Sequence, residues 1–195
     1  MKKILLLIVG IYFCIPLFCQ SPTVYDSPYT FKNLIIEKGT EVINNSTLTV
    51  NDTLFVYGTL TNNGKILAKT CIVDSAKLYC AKNRNNNLTI SENLILKNTT
   101  IYSSDTTYFA INTYDCIIDD KTDIQSASLI IAHDVIINDT LIFSNKKLGV
   151  KKVFGDFIIN AQGCFTNSIN DNIQLYGNAI NNSAKTCTNA NFEVF

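Results

Sequence analysis

Apolar residues recur along the first half of the chain at intervals of six. Eight aliphatic positions follow this step without a break: Ile36, Val42, Leu48, Leu54, Leu60, Ile66, Ile72 and Leu78. Runs of alternating apolar and polar residues surround them, and such alternation predicts short β-strands with one buried side. Turn-forming residues such as Gly58 and Gly64 stand between the runs. We therefore expect these eight side chains to point into one shared interior.

Short strands repeated this evenly predict a β-solenoid. We predict an all-β protein, a single right-handed parallel β-helix of about seven rungs of roughly 20–25 residues each. A left-handed hexapeptide β-helix is the close alternative, because the six-residue step fits it; the later, irregular strands favour the right-handed form. A β-sandwich is the third option, although its strands would be longer. Turn asparagines are expected to form hydrogen-bonded ladders between rungs.

Composition and charge support a turn-rich β protein and argue against one class of partner, nucleic acids. The chain has 24 asparagines, a residue that favours turns over strands. Charged residues make up 16%, the net charge is zero, and Arg84 is the only arginine. A nucleic-acid-binding protein needs clustered positive charge, so we expect no nucleic-acid partner.

The N-terminal segment has the layout of a secretory signal peptide. Lys2 and Lys3 precede an apolar run over residues 4–18, which is shorter than the about 20 residues of a membrane span. We predict a signal peptide at 1–19, a lead or cap at 20–33 and a solenoid domain at 34–195. The mature protein is expected to be secreted or on the cell surface of a Gram-negative bacterium and not to span a membrane. Lipidation at Cys19 is the alternative to simple cleavage.

Five cysteines remain after the predicted cleavage: Cys71, Cys80, Cys116, Cys164 and Cys187. Export permits disulfides, and the most local pair would be Cys71 with Cys80. The competing interpretation is that most of them are small buried core residues.

Two carboxylates are the candidate metal ligands. Strand alternation places Asp115 and Asp119 on one side of a strand, where they could converge on calcium. The alternative is a solvated acidic turn, and we expect no other cofactor. The only histidine, His133, is expected in a loop at a strand edge, since one histidine argues against a zinc site. The basic stretch Lys146–Lys152 is predicted to be a solvated loop.

Three segments have a common rung pattern of glycine, aliphatic and asparagine residues: 51–64 (NDTLFVYGTLTNNG), 155–167 (GDFIINAQGCFTN) and 173–182 (IQLYGNAINN). Over residues 34–195 this pattern resembles the parallel β-helix surface proteins secreted by Bacteroidota and filamentous, adhesin-like passengers. The resemblance implies a surface location and an extended binding face.

The predicted function is therefore a secreted or cell-surface structural or adhesion module, with glycans or surface proteins as partners. Solenoid ends are prone to edge pairing, so a capping domain or end-to-end self-association is also expected. The alternative is a carbohydrate-active β-helix enzyme, lyase- or hydrolase-like, or a glycan-binding domain. An enzyme would show convergent carboxylates and a base in a cleft along one face. We favour the non-enzymatic hypothesis.

Overall fold

The fold is known from a computed structural model, which describes residues 21–80, 87–103, 109–125, 127–144, 150–167, 172–185 and 191–195. Within these ranges all regular structure is β-strand. They contain no helix long and apolar enough to cross a membrane. The predicted signal peptide lies outside the described residues.

The strands are short and follow one another closely. In chain order they are β1 (Thr23–Tyr25), β2 (Tyr29–Phe31), β3 (Leu34–Ile36), β4 (Glu41–Asn44), β5 (Thr47–Val56), β6 (Thr59–Asn62), β7 (Lys65–Asp74), β8 (Lys77–Cys80), β9 (Asn87–Lys97), β10 (Thr99–Ser103), β11 (Phe109–Ile118), β12 (Thr122–Gln125), β13 (Ala127–Ile131), β14 (Val135–Ile137), β15 (Thr140–Phe143), β16 (Lys151–Val153), β17 (Phe157–Ile159), β18 (Cys164–Asn167), β19 (Asn172–Leu175), β20 (Ala179–Asn181) and β21 (Asn191–Val194).

Parallel pairing stacks these strands into a β-solenoid with three faces. Face 1 is the eight-stranded sheet β1-β4-β6-β8-β10-β12-β15-β18. Face 2 begins with β2, continues through the first halves of β5, β7, β9 and β11, and ends with β13, β16, β19 and β21. Face 3 comprises β3, the second halves of the same four long strands, then β14, β17 and β20.

The stack confirms the predicted solenoid and excludes the β-sandwich, because every strand pair of the described residues is parallel. The described residues make about seven turns, which separate eight rungs. Rung 1 is β1–β3, rungs 2 to 5 each contain one face-1 strand and one long strand, and rungs 6 to 8 each contain three short strands. The stack therefore begins within the segment predicted as the lead or cap. β21 pairs with β19 and adds one strand beyond rung 8 on face 2. Handedness stays a prediction.

The six-residue step reflects the three faces of an 18-residue turn. Asn44 and Asn62 stand one turn and 18 residues apart, which is six residues per face. Seven of the eight step positions are buried, including Leu48 and Leu54 at 0% exposure. The prediction for Ile72 is wrong. The bend of β7 contains one residue fewer than the bend of β5, as the register shift between them records, so Ile72 points outward between its buried neighbours.

Asparagine ladders join the rungs at the first corner, as predicted. Inside the core, Asn44 Nδ2 donates to Asn62 Oδ1 at 2.8 Å, and both side chains are fully buried. Outside, Asn63 Nδ2 donates to Asn45 Oδ1 at 2.7 Å. Buried amide groups need hydrogen-bond partners. Here the asparagine of the next rung supplies the partner, which offsets the cost of burying these polar side chains.

Aromatic rings close both ends of the core. Tyr25 lies 5.0 Å from Tyr29 and 5.7 Å from Phe31 between ring centroids, at the first rung. At the other end the Phe192 ring lies 5.1 Å from that of Phe157. These rings cover aliphatic columns that would otherwise meet water at each end of the stack.

The predicted loop at Lys146–Lys152 is wrong at its C-terminal end. Lys151 and Lys152 belong to β16, and residues 145–149 lie outside the described part of the chain. Lys151 is only 4% exposed, and its Nζ lies 5.0 Å from the centre of the Phe143 ring. A cation–π contact of this kind compensates part of the cost of burial.

Two cysteines are core residues. Cys71 and Cys116 are buried with free thiols, and burial raises the pKa of each to about 12. Cys71 therefore forms no disulfide with Cys80, and the core interpretation is confirmed for both residues.

Candidate functional site

The two carboxylates predicted as calcium ligands lie on the same outer face but do not converge. Asp115 opens the second half of β11 and Asp119 follows its end, so both lie on the outside of face 3 with Ile117 between them. Four residues of extended chain separate the two by roughly 13 Å. Asp119 accepts a hydrogen bond from Asn138 Nδ2 at 2.7 Å and lies 3.4 Å from Lys97 Nζ. Calcium binding at this pair stays a prediction.

Asp115 instead lies beside the only histidine. Its Oδ1 is 2.8 Å from His133 Nδ1 and accepts the backbone N–H of Asp134 at 2.9 Å. The imidazole stacks on Tyr114 with ring centroids 4.9 Å apart. Ligand atoms of Asp115, His133 and Asp134 lie within 4.8 Å of one another. Calcium prefers six to eight oxygens, so this set with a nitrogen suits a transition metal better.

The surroundings of His133 favour its protonated form. The hydrogen bond to Asp115 is the main cause that raises the pKa of His133 above its ordinary 6.5, and the charges of Asp134, Asp115 and Asp156 add to it. Partial desolvation opposes them. The imidazole is therefore a cation over a wider pH range than a free histidine.

We expect Asp115→Asn to lower the pKa of His133, because the amide keeps an acceptor but loses the charge. A histidine whose folded pKa is raised contributes stability below its unfolded pKa, and this contribution is lost as pH rises through the folded pKa. The difference between the thermal midpoints of wild type and variant should therefore shrink as pH rises through the folded pKa of His133, leaving only the contribution of the bond from the Asp134 N–H to Asp115. NMR titration of the single imidazole measures the shift directly, and an unchanged pKa would contradict the assignment.

Asp115 is the first member of a ladder that we call the aspartate ladder: Asp115, Asp134 and Asp156, one per rung. Asp134 Oδ1 accepts the backbone N–H of Asp156 at 2.8 Å, and Asp156 Oδ1 accepts that of Asn178 at 2.8 Å. One oxygen of each carboxylate thus ties its rung to the next. Charge-assisted bonds to backbone N–H groups are among the stronger hydrogen bonds.

Glycines permit the close stacking of this corner. A Cβ on Gly155 would overlap the carbonyl oxygen of His133 and the carboxylate of Asp134. One rung later, a Cβ on Gly177 would overlap the carbonyl of Gly155. At this corner the backbone of one rung lies directly on the backbone of the next, which leaves no room for a Cβ. Glycine is therefore required in the dipeptides Gly155-Asp156 and Gly177-Asn178.

The longest feature of face 3 is an outward column of apolar side chains, one per rung. We call it the isoleucine ridge: Ile35, Phe55, Ile72, Ile95, Ile117, Ile136, Ile158 and Ile180. Ile35 and Ile180 at its ends are 52% and 36% exposed, and the six between them are half-buried by their own neighbours. An ordered apolar row on an outer surface indicates an interaction site.

Polar columns flank the ridge on both sides. The first contains Asn33, Thr53, Thr70 and Asn93 in rungs 1 to 4 and continues as the aspartate ladder and Asn178. The second, which we call the amide column, contains Glu37, Tyr57, Asp74, Lys97, Asp119, Asn138, Asn160 and Asn182. In its later rungs Asn160 Nδ2 donates to Asn138 Oδ1 at 2.7 Å. Face 3 is thus an apolar strip between two polar borders.

Exposed aromatic rings form a second surface feature at the corner between faces 2 and 3. Phe154, Tyr176 and Phe195 stack with centroids 4.8 and 5.1 Å apart. All three are at least 40% exposed. Neither this stack nor the ridge was predicted from the sequence as a site.

The chain was compared with family models, curated proteins and solved structures. No family model, no curated protein and no solved structure matches it. The β-solenoid fold is therefore shown by the strand pairing of the chain itself. The resemblance to Bacteroidota surface proteins stays a prediction.

Proposed function

We propose that this chain is an exported structural or adhesion module that acts at the cell surface or outside the cell through an elongated solenoid face. The observation that carries the proposal is the isoleucine ridge, which extends over all eight rungs between two polar borders. A continuous flat surface of this kind suits an extended partner better than a small molecule, which binds in a concave pocket.

Export is supported by the first nineteen residues, whose two lysines and apolar run are typical of a signal peptide. Hydrogen-bonded ladders along the corners and aromatic rings at both ends give a stiff rod whose rungs contact only their neighbours. A stiff rod presents its face to a partner without the entropy cost of ordering it.

The proposal is tested by following a C-terminally tagged full chain in a Gram-negative host. We expect the protein outside the cytoplasm, sensitive to protease added to intact cells, with a new N-terminus near Cys19 or Gln20. Leu6→Arg combined with Leu7→Arg interrupts the apolar run and should retain the protein inside, whereas Thr23→Ala should not. A wild-type chain retained in the cytoplasm with Met1 in place would reject the proposal.

Glycan binding or glycan cleavage is a second candidate, favoured by the exposed stack of Phe154, Tyr176 and Phe195 and by the group around His133. Aromatic rings bind the C–H faces of sugars, while neighbouring carboxylates accept hydrogen bonds from the sugar hydroxyls. Affinity electrophoresis in polysaccharide gels separates the candidates. Retardation that Tyr176→Ala abolishes would support glycan binding, and release of reducing ends that His133→Ala abolishes would support an enzyme.

A further inference from the structure

We infer that face 3 of one copy packs against face 3 of a second copy, with the two solenoid axes antiparallel and all eight rungs overlapping. This deepens the proposed function, because it names the partner of the same face. The contact is isologous, since each copy contributes the same surface, which is the commonest symmetry of protein dimers.

The size of face 3 is sufficient for such a contact. Eight rungs span seven strand spacings, or about 34 Å, and five extended residues span about 17 Å. The face therefore offers roughly 600 Å² on each copy, which reaches the lower end of stable protein–protein interfaces. Two β-sheets that pack face to face keep their strands nearly aligned, as this arrangement requires.

Antiparallel overlap places rung 1 on rung 8, rung 2 on rung 7, rung 3 on rung 6 and rung 4 on rung 5. Each apolar side chain of the ridge then meets another one of the ridge. The four kinds of contact are Ile35 with Ile180, Phe55 with Ile158, Ile72 with Ile136 and Ile95 with Ile117, each occurring twice. Burial of this half-exposed apolar surface drives the association.

The aspartate ladder meets hydrogen-bond donors across the same interface. Asp156 lies opposite Thr53 of the second copy, Asp134 opposite Thr70 and Asp115 opposite Asn93. Within its own chain each carboxylate uses Oδ1 to accept a backbone N–H. Asp134 Oδ2 also lies 3.5 Å from His133 Nδ1. Because an ionised carboxylate has about four lone-pair sites, each of the three can still accept a hydroxyl or amide proton of the other copy, so the acidic half of the border meets its neutral half.

The amide column is complementary to itself in the same register. Lys97 lies opposite Asp119 of the second copy. Lys97 and Asp119 also form an ion pair within each chain, 3.4 Å apart, so two lysines and two aspartates of alternating charge meet at the centre of the interface. Two further contacts bring Asp74 opposite Asn138 and Tyr57 opposite Asn160. Across both borders no two like charges face each other.

Three neighbouring arrangements of the same two faces bring like charges together. With parallel axes, Asp115 of one copy would face Asp119 of the other. A shift of one rung in one direction would place Asp115 opposite Asp115, and a shift in the other direction would place Lys97 opposite Lys97. Like charges at an interface are penalised, which disfavours these three arrangements, and larger shifts along the rod leave part of the ridge uncovered.

Antiparallel packing has a consequence for adhesion. The two N-terminal ends of the pair point in opposite directions along the rod. Two copies held on facing surfaces by the same end could therefore join through face 3, which makes the contact suited to like-with-like adhesion.

Sedimentation velocity of the purified mature chain over a range of concentrations tests the inference. We expect a reversible monomer–dimer equilibrium. Ile136→Thr, which keeps a β-branched side chain on the ridge, should raise the dissociation constant at least tenfold. Ile130→Thr is the matched control, because Ile130 is a half-buried outward isoleucine of the same rung on face 2, and it should leave the equilibrium unchanged.

Charge variants test the register. Asp119→Lys sets Lys97 against a lysine and should weaken the dimer at least tenfold, and addition of Lys97→Asp should restore it. A protein that stays monomeric at every concentration, or a dimer indifferent to Ile136→Thr, overturns the inference. If the protein stays monomeric and sediments with phosphatidylglycerol vesicles, and Ile136→Thr abolishes that sedimentation, the ridge binds lipid and the inference is overturned. Failure here with surface exposure intact would leave the proposed function standing.

Discussion

Val73→Asp is expected to lower the free energy of unfolding by more than about 4 kcal/mol, which approaches the whole stability of a marginal domain. Val73 is 0% exposed and lies in the aliphatic column of face 3, paired with Val56 and Leu96. A carboxylate there would have no partner in the core, and burial of an unpaired ion costs several kcal/mol. The lost packing of the valine adds to that cost.

Ile72→Asp makes the same chemical change one residue earlier and supplies the control. Its side chain points outward, so we expect a loss of about 1 kcal/mol or less, typical of a surface substitution. Urea titration followed by circular dichroism, at protein concentrations too low for association, measures both variants. Equal losses, or a larger loss for Ile72→Asp, would show that the register of β7 differs from the one described.

The solenoid itself was predictable because its inward columns repeat along the sequence. A turn of 18 residues divided among three faces produces a step of six, and this step is visible without any structure. The error at Ile72 arises where one residue is missing from a bend. Cys71, Ile72 and Val73 are all apolar, so the sequence carries no polar residue that marks which of them faces outward.

The same property concealed the isoleucine ridge. Most strands of faces 1 and 2 alternate between apolar and polar residues, and their inward positions can be read directly. The face-3 strands contain apolar triplets instead, such as Leu34–Ile36, Leu94–Leu96 and Val135–Ile137. A triplet that is buried on one side only must expose its middle residue. Recurrence of such triplets once per rung is the signal that could have revealed the ridge.

Which residues of neighbouring rungs are in contact depends on the number of residues per turn. After residue 82 the regular step is lost, so this number cannot be read from the sequence. Asp115 and His133 are 18 residues apart and in contact, whereas Asn138 and Asn160 are 22 apart and in contact. Turns of unequal length prevent a fixed step from pairing these residues. The alternation rule correctly placed Asp115 and Asp119 on one side of a strand, but it could not show that Ile117 separates them.

Phe165→Ala is expected to lower the free energy of unfolding by about 3–5 kcal/mol, the usual cost of removing a buried phenylalanine. Phe165 is 0% exposed, and its ring lies 5.2 Å from that of Phe157 and 5.3 Å from that of Phe143. Phe192 lies 6.4 Å away at the closing end of the core. Deletion of the central ring leaves a cavity that rigid stacked strands cannot collapse to fill.

The location of this loss distinguishes a solenoid from a globular core. Because each rung contacts only its neighbours, damage at rung 8 should spread to adjacent rungs and leave distant ones folded. Hydrogen exchange should therefore show lost protection for amides of β17 to β19 and retained protection for β5 and β7, with a melting transition that separates into two steps. Phe154→Ala removes an exposed ring one rung earlier and should change stability by about 1 kcal/mol or less. A uniform loss of protection along the whole rod would mean that the rungs unfold as one cooperative unit.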